Sequence, residues 1–221
     1  APLNAETREQ ARGSRPELPW NWKSFGEYLD VLRQTGIAVN VAPLVGHGTV
    51  RNLVLGPADR APTAEELNEM QNAIAQAMDE GAWGLSTGLI YPPSAFATTE
   101  ELIELSRVPA ARGGFYFSHI RGEGETLLDS ISEAIQIGEQ AGLPVQIAHF
   151  KAQFPENWHL IDAALALLDE ARERGIDVAA DRYPYIASST SLRASLPNWV
   201  HDGGLEALLA RIADPETRAR I

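Results

Sequence analysis

The sequence predicts an α/β protein built on a parallel sheet, and three observations carry that expectation. Apolar runs of strand length alternate with amphipathic stretches of helical length along the chain. Strand starts recur at roughly 30–35 residues, near the length of one βαβ repeat. Glycine or proline punctuates nearly every junction. Regular βα alternation means parallel strands under helical cover, either as a doubly wound sheet or as a (β/α)₈ barrel. A complete barrel has eight strands in about 250 residues. Only five strands are expected here, so on the barrel reading this 221-residue chain is an incomplete barrel.

In chain order, residues 1–22 are polar and proline-rich, with Trp20 and Trp22 at their end, and read as a loop leading into one domain over residues 23–221. Lys23–Thr35 places Phe25, Tyr28, Leu29 and Leu32 at helical spacing and closes on Gly36. Ile37–Val45 reads as a buried strand, followed by Gly46-His47-Gly48 and then a loop over residues 52–62. Thr63 and Glu66 fit a capping box, opening a helix that runs to about Glu80. Ala82–Leu89 is the second strand candidate. Thr98 and Glu101 repeat the capping pattern for a helix ending near Gly113-Gly114.

A third apolar run ends in Ser118-His119-Ile120-Arg121, a helical stretch spans about Glu125 to Ala141, and a fourth run ends in Ala148-His149-Phe150-Lys151. His159–Arg174 is strongly amphipathic, and Ile176–Tyr185 is the fifth strand. A Ser/Thr-rich loop over Ala187–Ser191 leads to a last helix after Gly203-Gly204, with a polar tail from Asp214.

Composition narrows the function classes. The net charge of −12 and a sequence pI near 4.8 disfavour nucleic acid or an anionic membrane as partner, because phosphate binding needs a basic patch. With no cysteine, the chain has neither a disulfide nor a thiolate metal site. No window approaches about 18 consecutive apolar residues, so no membrane span is expected. The start is polar, lacks an apolar signal core and lacks an initiator Met. It looks like a segment of a longer protein, and the expected compartment is the cytoplasm.

The chemistry gathers at residues 114–152. His119 and His149 each sit at the C-terminal end of a predicted strand, one βαβ unit apart. Adjacent strands lie about 4.8 Å apart, so both imidazoles are able to reach one ion at the strand ends, where barrels keep their chemistry. A lone histidine near a strand end is more often structural. Two on consecutive strands raise the metal reading to stand level with that one.

Five segments extend the argument: GHGTVR (46–51), GLSTGLIYPP (84–93), SHIRGEG (118–124), IAHFKA (147–152) and DRYPYIASST (181–190). In this order and spacing the chain resembles the N-acyl-D-amino-acid deacylase (D-aminoacylase) family of the amidohydrolase superfamily, from about Asn21 to Trp199. The resemblance implies an α/β fold that is a partial metal-dependent (β/α)₈ TIM barrel, about strands three to seven. It implies Zn²⁺ held by His119 and His149, and hydrolysis of the amide bond of a small-molecule N-acyl-D-amino acid. By position, Lys151, Tyr183 and Ser189 resemble the family's carboxylate-binding set. Their plain alternatives are a solvated strand-end lysine, barrel packing (with Tyr185 a rival for the role) and a loop hydroxyl.

The departures are as informative. The family's His-x-His pair, its cysteine ligand and the catalytic Asp of its last barrel strand have no counterpart here. No lysine stands in Ala82–Leu89, which favours this family over relatives that carry a carboxylated lysine there. Arg121 and Glu123 are expected as a pair that orients His119 or as a surface ion pair. His47 is expected to shape a loop, Asp181 to orient a ligand or serve structure, and His159 and His201 to lie at the surface. Other readings are an amidohydrolase for another amide, such as a D-dipeptide or N-acyl-D-glutamate, and a non-catalytic metal-binding barrel fragment.

Overall fold

The structure is a computed structural model that describes residues 20–221. The loop expected over residues 1–22 therefore lies, up to residue 19, outside the described residues. Five short strands, β1 (Val45–Gly46), β2 (Gly84–Gly88), β3 (Phe115–His119), β4 (Val145–Ile147) and β5 (Val178–Ala180), form one sheet in chain order. Every neighbouring pair is parallel. The helices are α1 (Phe25–Thr35), α2 (His47–Val54), α3 (Ala64–Asp79), α4 (Thr99–Ala110), α5 (Leu127–Ala141), α6 (Ile161–Glu173), α7 (Gly204–Ala213) and α8 (Pro215–Arg218). A sheet that grows strand by strand in chain order, with helices intervening, is the arrangement of a barrel segment rather than of a doubly wound sheet, whose order reverses.

Strand alternation sorts the side chains. Leu85, Tyr116, Val145, Ile147 and Val178 point to the helical side and are buried there. They join two apolar clusters, one among α1, β1, β2 and α3, the other among α4, α5, α6 and strands β3 to β5. Gly138 lets α5 close on the sheet, since a Cβ at that position would lie 2.1 Å from Val145 Cγ2. The residues between, His119 among them, are left on the other face.

The helix starts follow local chemistry. Thr63 and Glu66 make a complete capping box at α3. At α4 only half of the box forms. Thr98 accepts from the Glu101 amide, but the Glu101 side chain turns inward instead. There Glu101 Oε1 meets His47 Nε2 at 3.0 Å and Arg51 Nε at 3.1 Å, all three side chains being buried. Arg51 also donates to the carbonyls of Ala58 and Arg60, and His47 Nδ1 lies 2.5 Å from Ser94 Oγ.

Several expectations are corrected here. His47 does hold a turn, through Ser94 Oγ, but it does so from a fully buried place at the start of α2 and not from a loop. The loop expected from residue 52 is partly α2, and the polar tail contains α8, capped by Asp214. The first predicted strand shrinks to Val45–Gly46, and the fifth to Val178–Ala180. Both lie at the margins of the sheet, where only one side offers hydrogen-bond partners among the described residues. The apolar residues left over are exposed: Ile37 by 45%, Val39 by 70% and Val41 by 48%.

Unpaired parallel edges with exposed β-branched residues invite pairing between chains. This chain on its own is expected to self-associate, and Val39→Lys with Val41→Lys to reduce that association, as read by size-exclusion light scattering. A monodisperse monomer before mutation overturns this.

Burial lowers the pKa of His47 below its ordinary 6.5, outweighing the hydrogen bond and charge of Glu101. The unfolded chain therefore binds the proton more readily than the folded one. Stability from this residue is complete above pH 6.5 and falls as pH drops toward the lowered value. Urea midpoints at pH 7.5 and pH 5 should separate less in His47→Gln than in the parent. Arg51→Ala, which strands the Glu101 charge, should cost about 3–5 kcal/mol.

Candidate metal centre

His119 is the last residue of β3. The ladder pairs Ser118 with Ile147 and continues through the Ala148 amide to the Ser118 carbonyl at 2.8 Å. His119 therefore stands opposite Ala148, one residue short of His149. The chain makes up the offset at His149, whose φ is +39°, a left-handed conformation that costs a β-carbon residue on the order of 1 kcal/mol. Asp181, just beyond β5, holds that turn. Its Oδ1 accepts from the His149 amide at 2.7 Å, and its Oδ2 accepts from Gln146 Nε2 at 3.0 Å. The strained turn brings His149 Nε2 to 2.6 Å from His119 Nδ1.

Glu123 completes the cluster from the loop between β3 and α5. Its Oε1 lies 2.7 Å from His149 Nδ1 and 2.5 Å from Lys151 Nζ, close enough for ion pairing, yet that oxygen has no properly directed hydrogen-bond donor. His119, Glu123 and His149 offer ligand atoms all within 4.8 Å of one another. The expected Arg121–Glu123 pair does not form, because Arg121 pairs with Glu133 of α5.

The donor set suits a cation. His149 Nδ1 lies between an acceptor, Glu123 Oε1 at 2.7 Å, and a donor, Lys151 Nζ at 3.1 Å, so both tautomers of this ring find a partner there. His149 Nε2 and His119 Nδ1 face each other at 2.6 Å, and His119 Nε2 is buried with no partner. Burial, reinforced by the neighbouring His149, pushes His119 down to about 4, so this imidazole is neutral at pH 7. Neutral imidazoles and a carboxylate are the nitrogen and oxygen donors zinc takes. The cluster fits a divalent metal better than it satisfies itself.

The cavity over this cluster holds about 640 Å³, and Lys151, Tyr183 and Ser189 all line it together with His119, Glu123 and His149. Lys151 Nζ sits 5.4 Å from the Tyr183 ring centroid, and Arg182 stacks on the same ring at 4.7 Å. Tyr185 lines the cavity as well, but it is largely exposed, by 68%. His159 is at the surface as expected. His201 is not: it is buried, and its Nε2–H donates to the Arg193 carbonyl at 3.1 Å. Neither His47 nor His201 joins the metal cluster. Glu123 was legible only as a neighbour of His119 in the sequence; its contact with the second histidine needed the fold.

A parallel βα sheet with a His–Glu–His cluster at its C-terminal strand ends is the arrangement of a barrel segment with a candidate metal site. No family model matches the chain. Relatives and solved structures identify it further. It is 43% identical to the D-aminoacylase of Alcaligenes xylosoxydans xylosoxydans over 174 residues, 79% of this chain and 36% of that protein. It is 41% identical to the N-acyl-D-glutamate deacylase of the same organism, over 75% of this chain and 34% of that protein. A crystal structure of D-aminoacylase, described as defining a novel subset of amidohydrolases, superposes with a TM-score of 0.73 at 40% identity, over 76% of this chain and 35% of that one. A zinc and phosphonate-inhibitor complex of N-acyl-D-glutamate deacylase from Bordetella bronchiseptica gives 0.71 at 40% identity, over 73% and 34%. The chain thus spans just over a third of the length of the curated relatives it matches. Over that stretch it belongs to the D-aminoacylase family of the amidohydrolases.

Asp181 acts on the metal site only through the His149 turn. Asp181→Ala is expected to weaken zinc binding about 10–100-fold, the range for outer partners of metal ligands, as measured by titration calorimetry. Unchanged affinity would sink the account of the strained turn.

Proposed function

We propose that the protein hydrolyses the amide bond of N-acyl-D-amino acids, releasing a carboxylate and a D-amino acid, with zinc bound at His119 and His149. The convergence of these histidines and Glu123 beside Lys151, Tyr183 and Ser189 in one cavity carries this reading. The kinship with deacylases supports the reaction class. When bound, zinc polarises the amide carbonyl and lowers the pKa of attacking water to about 7.

The chain's own residues supply the rest. His119 stays neutral, which leaves one ring nitrogen with a lone pair for coordination. Glu123 lies against the far nitrogen of His149 and, with Lys151, fixes the orientation of that ring. Lys151 provides the cation for the substrate carboxylate, and the hydroxyls of Tyr183 and Ser189 add neutral donors on the same side. In this reading the water proton is taken by the aspartate that the resemblance places on the last barrel strand, so no base is assigned among these residues. The partners are small molecules, neither nucleic acid nor membrane, in the cytoplasm. No helix among the described residues is long and apolar enough to cross a membrane.

The test pairs metal content with stereochemistry. This chain alone is expected to be inactive; the full-length protein, loaded with zinc, should release methionine from N-acetyl-D-methionine and not from the L isomer, and its His149→Ala variant should lose both zinc and turnover. Zinc without hydrolysis of either isomer moves the function to another amide or to binding; absence of zinc overturns the metal centre. Lys151→Ala should raise KM at least tenfold with a smaller change in kcat, because the carboxylate contact is made before and during reaction alike.

A further inference from the structure

The loop between β2 and α4 carries a tyrosine that the proposed chemistry does not use. Tyr91 leans on His119, ring centroids 5.2 Å apart, and its hydroxyl meets Thr190 Oγ1 at 2.9 Å across the site. It lines the cavity over the metal cluster and also a neighbouring cavity of about 500 Å³, whose walls include Asn52, Ser86, Arg193 and His201. The ring is thus the shared wall. Gly88 gives it room, since a Cβ there would lie 2.9 Å from Tyr91 Cδ2.

The turn that follows Tyr91 is fastened from the metal-bearing segment itself. Arg121, two residues after His119, donates Nη1 to the Ala95 carbonyl and Nη2 to the Ala97 carbonyl, both at 3.0 Å. Its other edge lies on Glu133 of α5, with Nε 3.0 Å from Oε2 and Nη2 2.9 Å from Oε1. Glu133 in turn accepts from Thr99 Oγ1 at 2.8 Å. From the opposite side, His47 holds Ser94 Oγ. Only a guanidinium has the planar fork to span two carbonyls and a carboxylate together.

We propose that Arg121 is a positioning residue that holds Tyr91 as the partition between the two cavities, and that Tyr91 thereby limits the size of the substrate's acyl group. The size limit rests on the deacylase reading; the positioning does not. Removing the ring joins the cavities and opens space beside the metal cluster. Replacing Arg121 lets the turn shift and loosens the same wall.

Zinc-loaded protein labelled with 3-fluorotyrosine gives five fluorine sites, one per tyrosine, and the Tyr91 line is the one lost in Tyr91→Phe. Arg121→Ala and Arg121→Lys should each move that line while the Tyr28 line stays in place. If the alanine variant does not fold, the lysine variant carries the test. An unmoved Tyr91 line in a folded Arg121 variant overturns the positioning. In parallel, in the full-length protein the ratio of kcat/KM for N-octanoyl- over N-acetyl-D-methionine should rise about tenfold in Tyr91→Ala, a change of roughly 1.4 kcal/mol in relative transition-state binding, and move in the same direction in Arg121→Lys. An unchanged ratio overturns the size limit. A parent protein that cleaves neither compound overturns the deacylase reading and the size limit together, while the fluorine lines still decide the role of Arg121.

Discussion

The site depends on one constraint: the parallel ladder between β3 and β4, which fixes where two histidines meet. The ladder alone leaves them out of step by one residue. A left-handed backbone at His149 closes the gap, and the Asp181 carboxylate keeps it closed by accepting the His149 amide. Three strands thus share one task. β3 delivers the first imidazole, β4 the second, and the end of β5 the group that sets the angle of the second. Strain of about 1 kcal/mol is small beside what a metal–histidine bond contributes.

Buried charge does the corresponding work for the loops. Arg51 and Glu101 lie in the interior with His47: the charged pair ties α2 to α4, and the His47–Ser94 bond ties the turn at Ser94, in addition to the apolar packing of the two helices. Arg121 and Glu133 do the same between the end of β3, the turn carrying Ala95 and Ala97, and α5. Such pairs are weak sources of net stability, because desolvation offsets most of their attraction. They are strong sources of geometry, because breaking one strands a charge. A mouth of loops above a rigid sheet needs that kind of fixing.

The fold was legible because its signals are local and repeated. The capping box at Thr63 and Glu66, the helical spacing of α5 and α6 and the thirty-residue recurrence of strand ends are all read from neighbours in sequence. The histidine pair was legible for the same reason. What failed was long-range. Thr98 and Glu101 have the spacing of a capping box, yet Glu101 finds a buried arginine fifty residues away and forsakes its own helix. Ile37–Val45 has the composition of a strand, but only Val45 and Gly46 join the ladder to β2. Glu123 lies close to His119 in sequence and to His149 only in space.

The charge balance of the site carries one more consequence. The chain is acidic overall, at −12, and the substrate of the proposed reaction is an anion. Long-range steering therefore works against binding, and affinity has to come from short-range groups screened from the bulk field. Lys151 is such a group, and its ammonium lies against Glu123. An incoming carboxylate has to share that cation with Glu123, and a divalent ion nearby adds the positive charge that lets two carboxylates sit around one lysine. Metal and substrate binding are on this account coupled through Glu123. The carboxylate that steadies His149 also sets how much of the Lys151 charge the substrate meets.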